Sequence, residues 1–166
     1  MLRKVLSGIV LLVILLSASF VTTQAATDEE IFAAIDLGVP WLADQQYPGG
    51  YWEDPWYGEP IATTGFAVLK LLEYAYENGL DPFDSEYLYN SEVESGLWYL
   101  WNAAQVSDCA GIVFGEGYHE TYSTGVAMMA IAATQTPDYV LSVPGSVVDG
   151  LTVKEVVQGA VDHFVC

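Results

Sequence analysis

The chain has 166 residues, of which 22 are acidic and only 4 basic, giving a formal net charge of −18. Its 52% of apolar side chains is enough for one domain with a packed core. Such a field argues against nucleic acid and anionic membrane surfaces as partners; it suits a salt- or cation-rich setting, or is simply a solvated acidic surface.

Residues 1–25 read as a signal peptide. Arg3 and Lys4 precede an apolar run over residues 5–16, and a small, polar stretch ends in Thr23-Gln24-Ala25-Ala26. That order predicts cleavage after Ala25, with Thr23 small enough for the −3 position. About a dozen apolar residues fall short of the ~20 that span a bilayer. A secreted or extracytoplasmic protein is therefore expected, an uncleaved membrane anchor being the alternative. The mature chain, residues 26–166, would keep Lys70 and Lys154 against all 22 acids. Export permits a disulfide between Cys109 and Cys166, but Cys166 is the last residue and the pairing stays open.

Thr27 and Glu30 form a capping box ahead of a helix whose face is Ile31, Ile35, Val39 and Leu42, with Pro40 inside it and an end near Gln46. Pro48-Gly49-Gly50 is turn chemistry. Residues 51–60 form an aromatic and acidic loop. A second helix over residues 61–78 is apolar almost all round, with Lys70, Glu73 and Glu77 as its wet edge, and Asn78-Gly79 closes it. After a connection over residues 81–90, Ser91 and Glu94 suggest a second capping box, and Val93, Leu97, Leu100 and Trp101 make a helical face to about Gln105. A glycine-rich loop over residues 106–120 leads into a fourth helix, residues 121–134. Thr152 and Glu155 form a third capping box, opening a fifth helix. No alternating strand pattern is visible in residues 26–166.

The inner helices match at an offset of about 60 residues: Thr64-Gly65-Phe66-Ala67 lies over Thr124-Gly125-Val126-Ala127, and Leu71 over Ile131. The outer helices match less closely, Gly38, Trp41 and Leu42 over Gly96, Tyr99 and Leu100, with Ala160 and His163 in the fifth helix at similar places. The unit is a helical hairpin, a half-polar outer helix followed by an apolar inner one. Such units bury their apolar faces on neighbours, and about three or more are needed for stability. Two hairpins and the first helix of a third predict a partial domain, completed by further repeats or by another chain.

Gly38-x-x-Trp41-Leu42-x-x-x-Gln46-x-x-x-Gly50-x-Trp52 resembles the QW repeat of squalene–hopene and oxidosqualene cyclases, departing where a basic residue usually precedes the first glycine (Leu37 here). The inner helices resemble those of the wider superfamily that includes protein prenyltransferase β subunits. The resemblance covers most of residues 26–166 and implies an all-α fold, an incomplete α/α toroid with inner helices around a central cavity. The family's catalytic groups do not carry over. Ala62 and Thr63 stand where the last two aspartates of the cyclase Asp-x-Asp-Asp acid belong, and neither can protonate an alkene. Ser123 stands at the zinc-binding histidine of the prenyltransferases, and the Asp-x-Cys position falls in a segment without cysteine.

Gly38, Trp41, Gln46, Gly50 and Trp52 are thus expected to be structural, the glutamine satisfying free carbonyls at a helix end and the indole packing on the next unit. The ligand-binding candidates are Trp52, Glu53, Asp54, Trp56, Tyr57 and Glu59, where aromatic rings beside carboxylates suit a sugar or a cation, together with Glu116 and His119. The spacing of Cys109, Glu116, His119 and Glu120 fits no zinc site, and Asp81, Asp84 and Glu86 lack the ligand alternation of a calcium loop. No catalytic residue, metal or cofactor is assigned. The expected function is a non-catalytic binding or scaffolding module for a small hydrophobic or glycan ligand. The alternatives are an isoprenoid cyclase or prenyltransferase with its catalytic residues in further repeats, and a polysaccharide-binding or polysaccharide-degrading protein.

Overall fold

Thr27 caps the first helix as its sequence predicts: the Glu30 N–H donates to the threonine hydroxyl at 3.3 Å, and the Thr27 N–H donates back to Glu30 Oε2 at 2.8 Å. Those hydrogen bonds hold the Glu30 carboxyl below its ordinary pKa. Helix α1 then runs over Asp28–Asp44, with Pro40 inside it. The computed structural model describes residues 25–54, 56, 58–108, 110–115 and 119–165. The expected signal segment lies outside them except for Ala25, as do Tyr57, Cys109, Glu116 and Cys166. The chain divides into two units, residues 1–35 and 36–166.

In the second unit, α2 covers Pro60–Glu77 with proline at its start, where a missing N–H costs nothing. Gly79, at φ +69°, ends it in the left-handed conformation that glycine alone adopts freely. Helix α3 spans Asn90–Ala103, α4 Glu120–Ala132 and α5 Val153–Phe164. The Thr152–Glu155 capping box opens α5, with the Glu155 N–H on Thr152 Oγ1 at 3.2 Å and the Thr152 N–H on Glu155 Oε2 at 2.8 Å. No described helix is long and apolar enough to cross a membrane.

Three expectations are corrected. The Ser91–Glu94 box does not form. Backbone turns carry the chain into α3 two residues early, so Ser91 lies inside the first turn and its hydroxyl donates to Glu92 Oε2 at 2.9 Å. The loop after α3 is not all loop: β1 (Ala104–Val106) pairs antiparallel with β2 (Ile112–Phe114). Three-residue strands are too short to show alternation, and β2 is buried along its whole length, so it carries none. On α1, Val39 and Ala43 are buried, but Ile31 is 46% exposed rather than part of a buried face.

The fold is therefore mostly helical, with one two-stranded ribbon among the described residues. Helix α2 packs on α3 and α4, α4 packs on α5 and β2, and α5 also packs on β2. Antiparallel pairing of α2 with α3 follows from Gly96, which meets Val68, and from Tyr87, just before α3, whose hydroxyl donates to the Leu71 carbonyl at 2.7 Å. Burial drives the Tyr87 phenol well above its ordinary pKa. Helices α4 and α5 are antiparallel too, His163 near the end of α5 lying 3.4 Å from Glu120 at the start of α4. By contrast α2 and α4 run in the same direction. Gly65 abuts Val126 near their starts, and the Tyr76 hydroxyl donates to the Thr134 carbonyl, 3.0 Å away, past their ends.

The offset of about 60 residues has a physical counterpart. Thr64, fully buried in α2, accepts the Trp52 N–H at 3.0 Å and donates to the Trp52 carbonyl at 3.4 Å. Thr124, fully buried in α4, does the same for Phe114, at 2.9 and 3.1 Å. Helices α2 and α4 thus each grip, through one hydroxyl, a buried aromatic residue on the segment leading into them. Valine at either threonine fills the same space but strands a buried N–H, so Thr64→Val and Thr124→Val should each cost about 2 kcal/mol in urea unfolding, with serine recovering most of it. A large cost at one site and none at the other would show that the clamps are not equivalent.

Candidate functional site

The hinge between α1 and α2 is held by the residues its sequence singles out, with the roles redistributed. Gln46 Nε2 donates to the Gly50 carbonyl at 3.1 Å and to the Glu92 carbonyl at 2.9 Å, tying the hinge to α3 rather than capping α1. The Leu42 carbonyl near the end of α1, which also accepts the Gln45 N–H at 3.1 Å, takes the Trp52 indole N–H at 2.7 Å. Trp52 is 3% exposed, so it has no surface to offer a ligand. Gly50 is packed against the Ser95 carbonyl. Gly38 meets nothing within 4 Å of an added methyl, and Trp41 is 64% exposed, so neither is held by packing.

The following loop presents Glu53 and Trp56 to solvent, the indole 87% exposed. Asp54 is half-buried, and its carboxylate accepts the Trp56 N–H at 2.7 Å. Glu59 stands at the N-terminal boundary of α2 and His119 at that of α4. Because the two helices run side by side, these ends meet: His119 Nε2 lies 3.9 Å from Glu59 Oε1, and the Ser123 hydroxyl donates to Glu59 Oε2 at 3.5 Å. The structure thus brings Glu59 and His119 together and adds Ser123. Two helix N-termini, each with a partial positive charge, favour a carboxylate at this place.

What the cluster can do follows from its order. The carboxylate sits between hydroxyl and imidazole, so the hydroxyl faces the acceptor and not the histidine that would activate it as a nucleophile. Ser123 is 1% exposed, beneath Gly115, and no substrate reaches it there. Glu59 and His119, both partly exposed, can instead hold a polar group between them. No group of three or more metal-binding side chains is found among the described residues.

No protein-family model matches the chain, nor does any curated protein or solved structure.

Along the same α2–α4 seam, Phe66, Tyr122 and Met129 stand 46%, 53% and 51% exposed, and the Phe66 and Tyr122 rings approach to 6.3 Å across it. Sequence reasoning assigned both helices to the core and missed this face. The signal was present on α2, where Phe66 shares the helical stripe of Lys70, Glu73 and Glu77 (offsets of 4, 7 and 11), the edge already read as wet.

Proposed function

We propose that the chain is an exported, acidic binding or scaffolding module built from α/α-toroid repeats of the squalene-cyclase and prenyltransferase type, and that it holds an apolar ligand without transforming it. The repeat reading is supported by the two threonine clamps and by parallel α2 and α4, each backed by an antiparallel helix. The observation that carries the ligand is the exposed Phe66–Tyr122–Met129 face, with the Glu59–His119 pair at the N-terminal end of the same seam. Exposed aromatic and thioether groups in one patch, closed at one end by a polar pair, suit a hydrocarbon body with a polar head. Against turnover stand Ala62, buried in α2, and Thr63, whose hydroxyl donates to the Glu59 carbonyl at 2.8 Å; neither supplies an acid where the cyclases carry one.

The test uses the full chain with Nile red as a neutral apolar reporter and farnesol as competitor. Farnesol should displace the dye, and Phe66→Ala/Met129→Ala should weaken both ligands about tenfold. Binding that ignores the double substitution, or no binding at all, overturns the assignment of this face. Conversion of farnesyl diphosphate by the chain overturns the non-catalytic reading.

A further inference from the structure

Glu94, Trp98 and Trp101 fall at successive turns of α3 and form one stripe. The turns that follow α2 and α4 bring Phe83 and Tyr139 opposite it. These turns are fixed locally, the Phe83 N–H donating to Asp81 Oδ1 at 2.9 Å and the Val153 N–H to the Tyr139 carbonyl at 3.0 Å. Between them lies a cavity of about 470 Å³, walled by Phe83, Trp98, Trp101 and Tyr139 and by the carboxylate residues Asp81 and Glu94. Trp98 is 47% exposed and Tyr139 57% exposed, so their rings are not used up by packing. Glu94 and Trp98 also border a second hollow beside Pro48 and Gly50, which leaves them open on that side as well.

The chemistry of the lining decides the ligand. Two acidic and four aromatic residues line the cavity, with no lysine or arginine among its lining. A neutral hydrocarbon would desolvate those carboxylates without return. A neutral sugar could stack on the rings and donate hydroxyls to the carboxylates, but it would leave their negative charge uncompensated, and the threonine hydroxyls in the wall add little. Thr134 Oγ1 already donates to the Ile131 carbonyl at 2.8 Å and lies 3.0 Å from Thr136 Oγ1. An organic cation gains from the aromatic and the acidic residues alike, because ring faces and carboxylates both attract positive charge.

We propose that this cleft binds an organic ammonium ion, its charged head taken by Asp81 and Glu94 and its hydrocarbon body by Trp98 and Tyr139. The cleft shares no residue with the Phe66–Tyr122–Met129 face, so each site stands or falls alone.

Choline is the probe, dimethylbutanol its uncharged isostere and cellohexaose the glycan comparison, each titrated into the full chain by calorimetry at low salt. Choline should bind at least about tenfold more tightly than the isostere, and Trp98→Ala and Glu94→Gln should each weaken it about tenfold. High salt should weaken it further. Equal binding of dimethylbutanol overturns the proposal in favour of a plain apolar cleft, and binding of cellohexaose without choline makes it a glycan cleft. Choline binding that ignores both substitutions shows only counterion association with an acidic surface, and no choline binding refutes the site. Both substituted side chains are exposed, so the fold should survive; should Trp98→Ala unfold, Glu94→Gln gives the same decision alone.

Discussion

Trp52→Ala should be the most damaging single change, costing about 4 kcal/mol in urea unfolding. The indole is 3% exposed, and its Cζ3 lies so close to Gly96 that a methyl there would come within 3.1 Å. Truncation therefore leaves a cavity between the hinge and α3 that the glycine cannot fill. It also removes the 2.7 Å indole N–H bond to the Leu42 carbonyl near the end of α1, leaving that oxygen the Gln45 N–H at 3.1 Å. A domain of this size has about 5–15 kcal/mol in total. Trp52→Phe separates the two contributions, keeping part of the ring volume and losing the hydrogen bond, and should cost about 2 kcal/mol. The Thr64 clamp on the Trp52 backbone is unaffected by either change, so the loss reports the side chain alone. If Trp52→Ala binds fewer ligands but unfolds at the wild-type urea concentration, the residue belongs to a site and not to the core.

The mostly helical character, the five helices of the described residues and two of the three capping boxes were legible because period, caps and glycine stops are local signals. The Ser91 box failed because turns in the preceding segment begin α3 at Asn90, and such a turn leaves no simple side-chain pattern. The ribbon was hidden by strands of three residues, β2 being buried throughout. The Gln46, Gly50 and Trp52 hinge was legible as structure, but not which group satisfies which carbonyl, because Glu92 reaches Gln46 from 46 residues away. Glu59 and His119 were singled out separately. Their meeting depends on α2 and α4 running in the same direction, a tertiary fact. The aromatic cleft on α3 was invisible for a related reason: Trp98 and Trp101 look like helix surface and helix core until the turns after α2 and α4 close over them.

Gly50→Ala should cost about 3 kcal/mol, part of it backbone strain and part collision. Gly50 has φ +81°, in the left-handed region where any other residue pays about 1 kcal/mol. A methyl added there would lie 2.4 Å from the Ser95 carbonyl oxygen and 2.8 Å from its carbon. Those atoms belong to the backbone of α3 and cannot swing aside as a side-chain tip would. To make room, the hinge must lift from the helix, which pulls Gln46 Nε2 off the Gly50 and Glu92 carbonyls. Gly58 supplies the control: its φ is also positive, at +60°, but an added methyl there meets nothing within 4 Å. Gly58→Ala should therefore show the strain alone, about 1 kcal/mol. The difference between the two alanines, about 2 kcal/mol, measures how firmly the hinge is pressed on α3. Equal costs would mean that the Ser95 carbonyl yields, and that Gln46 and Trp52, not the close approach at Gly50, set the position of the hinge.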